Sequence, residues 1–477
     1  MKQPIPWTQE EIIKATKGEI LSGGSNLLFS GVSIDSRTIS AREIFVAIRG
    51  NLHDGHTFIE EAIKLGVKGL IIDRQEAVKL PCEEWKKAGI FCVGVGDTIK
   101  AIGSLASYNR ARAGVSVVAI TGSNGKTTTR RMTAEVVSRR FETLSTTGNL
   151  NNEIGLPLTL LKLSHSHEWA VVELGMNHPG EIERLAQISK PDIGIITNIG
   201  PAHLEGLNSL EGVMNAKGEL IGGIKPDGTA ILNADDDMVM NLARRTSKKV
   251  LLFGFSGNAS VRASLVEVKR HTTSFTLLLP EETVAVDLPV SGGFMVSNAL
   301  AAASVGYLAG LPASEIKAGL ENCTPEKSRM NIFTLSKGIT VIDDSYNANP
   351  GSMEAAIKTL SELKATNRGI LIAGDMLELG EHSKKMHEKI GAFCAESGIE
   401  RLYATGQFAG NTADGAVSKG MSLNSIVTGS HDDIMEDITG WLGTGDWILV
   451  KGSRAMGMER IVYRLKDWDK KQSTRPL

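Results

Sequence analysis

Residues 1–99 alternate short apolar runs with turn residues: 44–48 (IFVAI), 67–72 (VKGLII) and 90–95 (IFCVGV). Such runs predict the strands of a small α/β unit. A helix is predicted over 98–112, and a buried-type strand follows at 115–120 (VSVVAI). Further strands are predicted at 170–174, 193–197 and 230–232. Helical patterns lie between them, such as Ile182, Leu185 and Ala186 at i, i+3 and i+4. Strand alternating with helix argues a mostly parallel sheet with helices on both faces. The stretch 260–290 alternates apolar with polar residues, the pattern of antiparallel strands. A third block begins at 325, with strands predicted at 339–342, 369–373, 402–404 and 447–450. These strands run into polar or glycine residues: Asp343, Asp344 and Ser345; Gly374 and Asp375; Thr405 and Gly406; Lys451, Gly452 and Ser453. Ligands of open α/β sheets bind beyond the carboxyl ends of strands, so these ends form a candidate ligand edge.

The length agrees with this division. At roughly 150 residues per domain, 477 residues suggest about three domains. The boundaries are set at 1–99, 100–324 and 325–477. Lysine plus arginine (52) against aspartate plus glutamate (54) leaves a net charge of −2, which excludes holding nucleic acid by bulk charge. Cys82, Cys92, Cys323 and Cys394 form no C-x-x-C pair, so reduced thiols are expected rather than a zinc cluster or disulfide framework. The first residues contain no apolar signal core, and no apolar run approaches the ~18–20 residues of a membrane span. A soluble cytoplasmic protein is expected.

The clearest chemistry lies at 120–128 (ITGSNGKTT), after a predicted strand and before the helical pattern Thr129, Met132, Val136, Val137. The longer phosphate-loop pattern places a glycine where this chain has Ile120, so the match is to the shorter G-x-x-G-K-T form. Glycines let backbone N–H groups close around phosphate oxygens, and the helix N-terminus adds positive potential. Lys126 can reach β- and γ-phosphates, and the Thr127 hydroxyl can ligate Mg²⁺. Glu173 ends a strand and could supply a hard oxygen, a solvated or capping glutamate being the alternative. His203 sits in the loop GPAHLE, where a structural histidine is the simpler reading. Lys217 shares an apolar helical face with Leu210, Val213, Met214, Leu220 and Ile221. There it must snorkel, find a partner or be modified, because an unpaired buried ammonium is costly.

On these motifs the chain resembles the Mur ligase family of cell-wall peptide synthetases, along essentially its whole length. The segments are TGSNGKTT (121–128), GNLNNEIGLP (148–157), ELGMNHPGEI (173–182), TNIGPAHLEG (197–206), NAKGE (215–219), DDSYNANPGSM (343–353), GDMLELGEHS (374–383) and KGSR (451–454). The resemblance implies a three-domain α/β architecture: a small N-terminal α/β domain for the UDP-sugar peptide, a central P-loop ATPase-like domain with a parallel sheet, and a C-terminal Rossmann-like domain for the incoming amine. It implies ATP, Mg²⁺, UDP-N-acetylmuramoyl-tripeptide and D-alanyl-D-alanine as cofactors and substrates, joined through an acyl phosphate. By position it assigns the ATP phosphates to Gly122, Ser123, Asn124, Gly125, Lys126, Thr127 and Thr128. It assigns Mg²⁺ to Thr127, Glu173 and His203, and the rest of the nucleotide to Asn233, Asp235 and Arg329. Lys217 matches a lysine that can be carbamylated. Lys126, Lys217, His203, Asp344 and Asn347 are the implied catalytic residues. Asn151, Asn152, Tyr346 and Asn349, with Ser36, Arg37, Asp54 and His56 in the first domain, are the implied substrate residues. One segment departs from the family pattern: Phe294 and Met295 stand where His-Asn is usual, before Asn298 and Ala299. Another ligase of the superfamily, such as a folylpolyglutamate synthase or the diaminopimelate-adding enzyme, and a nucleotide-dependent switch are the competing readings. DDSYNANP argues against the other ligases. A monomer is expected, since nothing in the sequence requires a dimer.

Overall fold

The computed structural model describes residues 3–23, 26–50 and 53–473. Three main sheets organise the chain, each drawn from one continuous stretch. The first has five strands in the order Glu19–Ser22, Phe91–Val95, Gly69–Asp73, Glu43–Val46, Gly31–Ser33. Its core-facing residues, such as Ile44, Val46, Leu70, Ile71 and Val93, are fully buried, as runs covered on both faces require.

The second sheet has nine strands. Ser116–Thr121 lies between Trp169–Glu173 and Ile193–Ile196, all parallel. The strands Thr229–Asn233 and Lys249–Gly254 extend it in parallel. The alternating stretch forms Val261–Val268, Thr273–Leu278 and Thr283–Leu288, paired antiparallel at the far edge. From the central strand the chain runs first to one side of the sheet, through Thr143–Ser145 and Trp169–Glu173, and then crosses to the other at Ile193–Ile196; the crevice beyond such a switch is where ligands bind. The third sheet has six strands in the order Asn331–Thr334, Thr340–Asp344, Trp447–Lys451, Gly369–Gly374, Arg401–Thr405, Ile426–Thr428. Only its first strand is antiparallel to its neighbour.

The predicted strands fall within a residue or two of those observed, because long apolar runs bounded by turns carry their own ends. The helix Thr98–Ala113 begins on an Asp97 cap, whose carboxylate accepts from Ile99 and Lys100 N–H, and ends at Gly114 with φ 68°. The short strands Thr143–Ser145 and Ile426–Thr428 have no such runs and depend on pairing with neighbours. All four cysteines are free thiols, three of them buried. No helix among the described residues is long and apolar enough to cross a membrane.

Candidate active site

A cleft of about 710 Å³ opens beyond the carboxyl ends of the central strands and is closed on its other side by the third sheet. At its floor is the loop after Ser116–Thr121. Gly122 (φ 152°) and Gly125 (φ 81°) both hold backbone conformations that side chains disfavour. A Cβ at Gly122 would sit 1.9 Å from Thr197 Oγ1, and one at Gly125 2.2 Å from Asn298 Oδ1. Both glycines are therefore required by conformation and by space. The loop is braced from the neighbouring strand end: Asn124 N–H donates to Asn198 Oδ1 (2.8 Å), and Thr197 Oγ1 donates to Asn124 O (2.6 Å). Lys126 opens the helix Lys126–Val137, and its ammonium donates to Gly122 O at 2.7 Å. Burial pushes the Lys126 ammonium below its usual value, partly opposed by the charge of Glu173.

Glu173 ends the adjacent strand in register with Ile120, and it is 3% exposed. Its Oε1 accepts from Asn151 Nδ2 at 2.9 Å, whereas Oε2 is buried without a hydrogen-bond partner. Thr127 and His203 line the same cleft. No group of three or more His, Cys, Asp or Glu among the described residues could hold a metal by itself. An orphaned carboxylate oxygen beside a phosphate loop fits a hard cation that keeps waters and takes the remainder of its shell from phosphates, as Mg²⁺ does. Lys217, in the helix Leu210–Gly223, also lines the cleft and is 1% exposed. Burial, with the charge of Lys126, pushes its ammonium well below the ordinary value. Val213, Met214, Leu220 and Ile221 are buried with it, but Leu210, grouped with them by periodicity, is exposed at the first turn.

The third sheet contributes the opposite wall. Asp344 and Lys451 are register partners at the ends of parallel strands. The Lys451 ammonium donates to Asp344 Oδ2 and, at 2.9 Å, to Asn347 O. Arg329 lies over the Tyr346 ring, 4.1 Å from its centroid, and its Nε, which makes no hydrogen bond, is ion-paired with Glu326 Oε2 at 3.6 Å. Asn349 caps the helix Pro350–Lys364 with its oxygen, and its Nδ2 donates to Asn124 Oδ1 at 2.8 Å. The phosphate loop and the Asp344–Asn349 loop, more than 200 residues apart in the chain, thus meet directly. Asn151, Asn152 and Asn233 also line the cleft.

Five implied residues lie elsewhere. Asp235 is absent from the lining; it accepts from Phe255 and Ser256 N–H at 2.7 and 2.8 Å and closes a turn. Ser36, Arg37, Asp54 and His56 likewise do not line this cleft. The departure at Phe294 and Met295 is accommodated: both line the cleft, and Asn298 Nδ2 points at Met295 Sδ, a weak acceptor 3.9 Å away. Lys451 and Glu378 were not singled out from the sequence. The polar end of the 447–450 strand was the available signal for Lys451. Glu378, whose Oε2 lies 2.6 Å from His203 Nδ1, had none beyond its segment.

A phosphate loop facing an acidic and basic wall from a separate Rossmann-like sheet defines a nucleotide-dependent enzyme assembled across domains. Three sequence patterns fit this arrangement: "Mur ligase family, catalytic domain" over 28–110, "Mur ligase middle domain" over 120–306, and "Mur ligase, glutamate ligase domain" over 328–454. The UDP-N-acetylmuramoyl-tripeptide–D-alanyl-D-alanine ligase of Escherichia coli (strain K12) is 37% identical, covering 94% of this chain and 97% of its own length. A crystal structure of MurF from Acinetobacter baumannii superposes with a TM-score of 0.88 at 31% identity, over 98% of this chain and all of that one (100%). MurF ligase from Thermotoga maritima, in complex with ADP, superposes with a TM-score of 0.82 at 26% identity, over 95% of this chain and 99% of that one. The chain belongs to the Mur ligase family.

Proposed function

We propose that this protein is the ATP-dependent ligase that joins D-alanyl-D-alanine to UDP-N-acetylmuramoyl-tripeptide, giving UDP-N-acetylmuramoyl-pentapeptide in the cytoplasm for peptidoglycan. The observation that carries the reading is the direct contact of Asn124 with Asn349, which sets the phosphate loop against the third domain's loop in one cleft. The division of labour follows: residues 1–99 take the UDP-sugar peptide, 100–324 the ATP and 325–477 the amine. One chain supplies the whole cleft, so a monomer suffices.

A carboxylate oxygen of the tripeptide attacks the γ-phosphorus, the bond to the β-bridging oxygen breaks, and ADP leaves an acyl phosphate. The free amine of the dipeptide attacks the acyl carbon, inorganic phosphate departs, and the nitrogen loses a proton to give the amide. No protein nucleophile is required, so positioning and charge neutralisation carry catalysis. The loop N–H groups from Gly122 to Thr128 and the Lys126 ammonium follow the phosphoryl oxygens. Arg329, held over Tyr346, adds a second cation on the third-domain side. Lys451 fixes Asp344 and the backbone at Asn347, shaping the wall where the amine approaches. Thr127, Glu173 and His203 would hold Mg²⁺, which neutralises phosphate charge when bound. Lys217 is read as carbamylated: its burial favours the neutral amine, whose nitrogen bonds to CO₂ with loss of one proton. The resulting carbamate is an anion where an ammonium would be poorly solvated.

Mass spectrometry of products from ATP, UDP-N-acetylmuramoyl-tripeptide and D-alanyl-D-alanine tests the reading. The expected result is the pentapeptide product, with sustained phosphate release only when both acceptor and dipeptide are present. Phosphate release independent of the dipeptide would refute it.

A further inference from the structure

His203 and Glu378 meet across two domains, and both residues are held in left-handed backbone conformations, with φ 56° and φ 63°. Neither is glycine, and for glutamate this is an uncommon and costly state that persists only where surroundings enforce it. The surroundings do so. Met376 N–H donates to His387 Nε2 (2.9 Å), and Leu377 N–H donates to Ser453 Oγ (2.8 Å). The Glu378 carbonyl accepts from Glu205 N–H across the domain boundary (3.2 Å), and Gly380 packs against Glu205. Both the backbone and the side chain of Glu378 therefore dock on the segment 203–205.

The ring of His203 lines the cleft, whereas Glu378 does not; the carboxylate approaches from behind, 2.6 Å from Nδ1 and off the ring N–H direction. A carboxylate there favours the proton on Nδ1 and leaves the lone pair on Nε2, the arrangement that orients metal-bound histidines in other proteins. We propose that Glu378 is a positioning residue: docking of the third domain sets the ring orientation and tautomer of His203, so the cation side of the ATP site is completed only where Glu378 reaches the segment 203–205. The proposal rests on the reading of His203 as a Mg²⁺ residue.

The test is binding of Mn²⁺ to the full-length protein with ADP, read by electron paramagnetic resonance, in wild type, Glu378→Ala, Glu378→Gln and His203→Ala. Glu378→Ala should weaken Mn²⁺ binding by roughly 10-fold or more at an unchanged melting temperature. Glu378→Gln, whose amide oxygen can take the same place beside Nδ1, should recover most of it. Wild-type affinity in Glu378→Ala, alongside weakened binding in His203→Ala, overturns the role of Glu378 alone. Wild-type affinity in His203→Ala overturns the reading of His203, and the proposal with it. A loss in Glu378→Ala that comes with a lowered melting temperature and is not rescued by glutamine marks general loosening and also overturns it.

Discussion

The central cleft and the polar cluster of the first domain contain similar residue types but treat them oppositely. In the cleft, Glu173 Oε2 is buried without a hydrogen-bond partner, and Lys217 is buried where its ammonium is disfavoured. In the first domain, His56 uses both nitrogens: Nδ1 contacts Asp54 Oδ1 at 2.6 Å, and Nε2 accepts from Asp73 N–H at 3.0 Å. Asp54 also accepts from His56 N–H and from Arg49 Nε, and Ser36 Oγ reaches Glu61. Buried polar groups without partners cost stability. Beside a phosphate loop, an orphaned carboxylate oxygen and a buried lysine are explained by a ligand that satisfies them, whereas a saturated cluster explains itself as local structure.

The largest effect should come from Lys126→Ala. Removing a charge that follows the transferring phosphoryl group should lower kcat by about 10²–10³-fold or more, with circular dichroism unchanged. Near-wild-type turnover at saturating ATP would break the contrast at its strongest point. Lys217→Ala should follow, with a loss on the order of 10- to 100-fold. Added small carboxylates should restore part of that activity if a carbamate is the working form, and a fully active variant would return Lys217 to the apolar helix face as a packing residue.

How much of this was legible in sequence depended on the distance over which each feature is determined. The phosphate loop was readable because two glycines with positive φ between a strand and a helix are a local requirement. Glu173 and Lys217 were readable from a strand end and a helical period. Asp344 was placed by its motif, but its partner Lys451 lies 107 residues away and becomes its neighbour only through strand pairing. Glu378 reaches His203 between domains, and no period in either segment encodes that meeting. Asp235 shows the converse: an acidic residue beside Asn233 looked nucleotide-facing, yet the turn at Gly254, where φ is 151°, takes its carboxylate for two backbone N–H groups.

A smaller effect, of a different kind, is expected in the first domain. His56→Ala should leave kcat nearly unchanged and destabilise the protein by about 1–3 kcal/mol, because a buried acceptor and donor lose their partner. Its neighbour gives a pH signature. Burial alone would raise the Asp54 carboxyl, but hydrogen bonds from His56 and Arg49 outweigh it and hold it at about 2, below the ordinary 3.8. A depressed carboxyl stabilises the fold above its unfolded value and loses that contribution as pH falls through the folded one. Asp54→Asn should therefore be less stable than wild type at neutral pH, and the difference should shrink between about pH 4 and pH 2. Acid-unfolding curves of the two proteins check this; a constant difference would mean that the charge of Asp54 is not what holds the cluster.

Arg37 offers the smallest effect and the sharpest discrimination. Its side chain is 81% exposed and pairs with Asp35 through hydrogen bonds of 2.8 and 2.7 Å. The guanidinium holds the Asp35 carboxyl at about 2. An ion pair this open to water contributes little to folding, so Arg37→Ala should leave the melting temperature unchanged. That makes it a clean probe of whether the first domain's polar residues face the UDP-sugar peptide at all. If Arg37 reaches the diphosphate, KM for UDP-N-acetylmuramoyl-tripeptide should rise while kcat and KM for ATP stay fixed. Because water screens an exposed charge, the rise should be under about tenfold. If all three constants stay at wild-type values, Arg37 joins His56 as local structure, and the substrate's recognition in this domain must come from backbone groups or from residues other than Ser36, Arg37, Asp54 and His56.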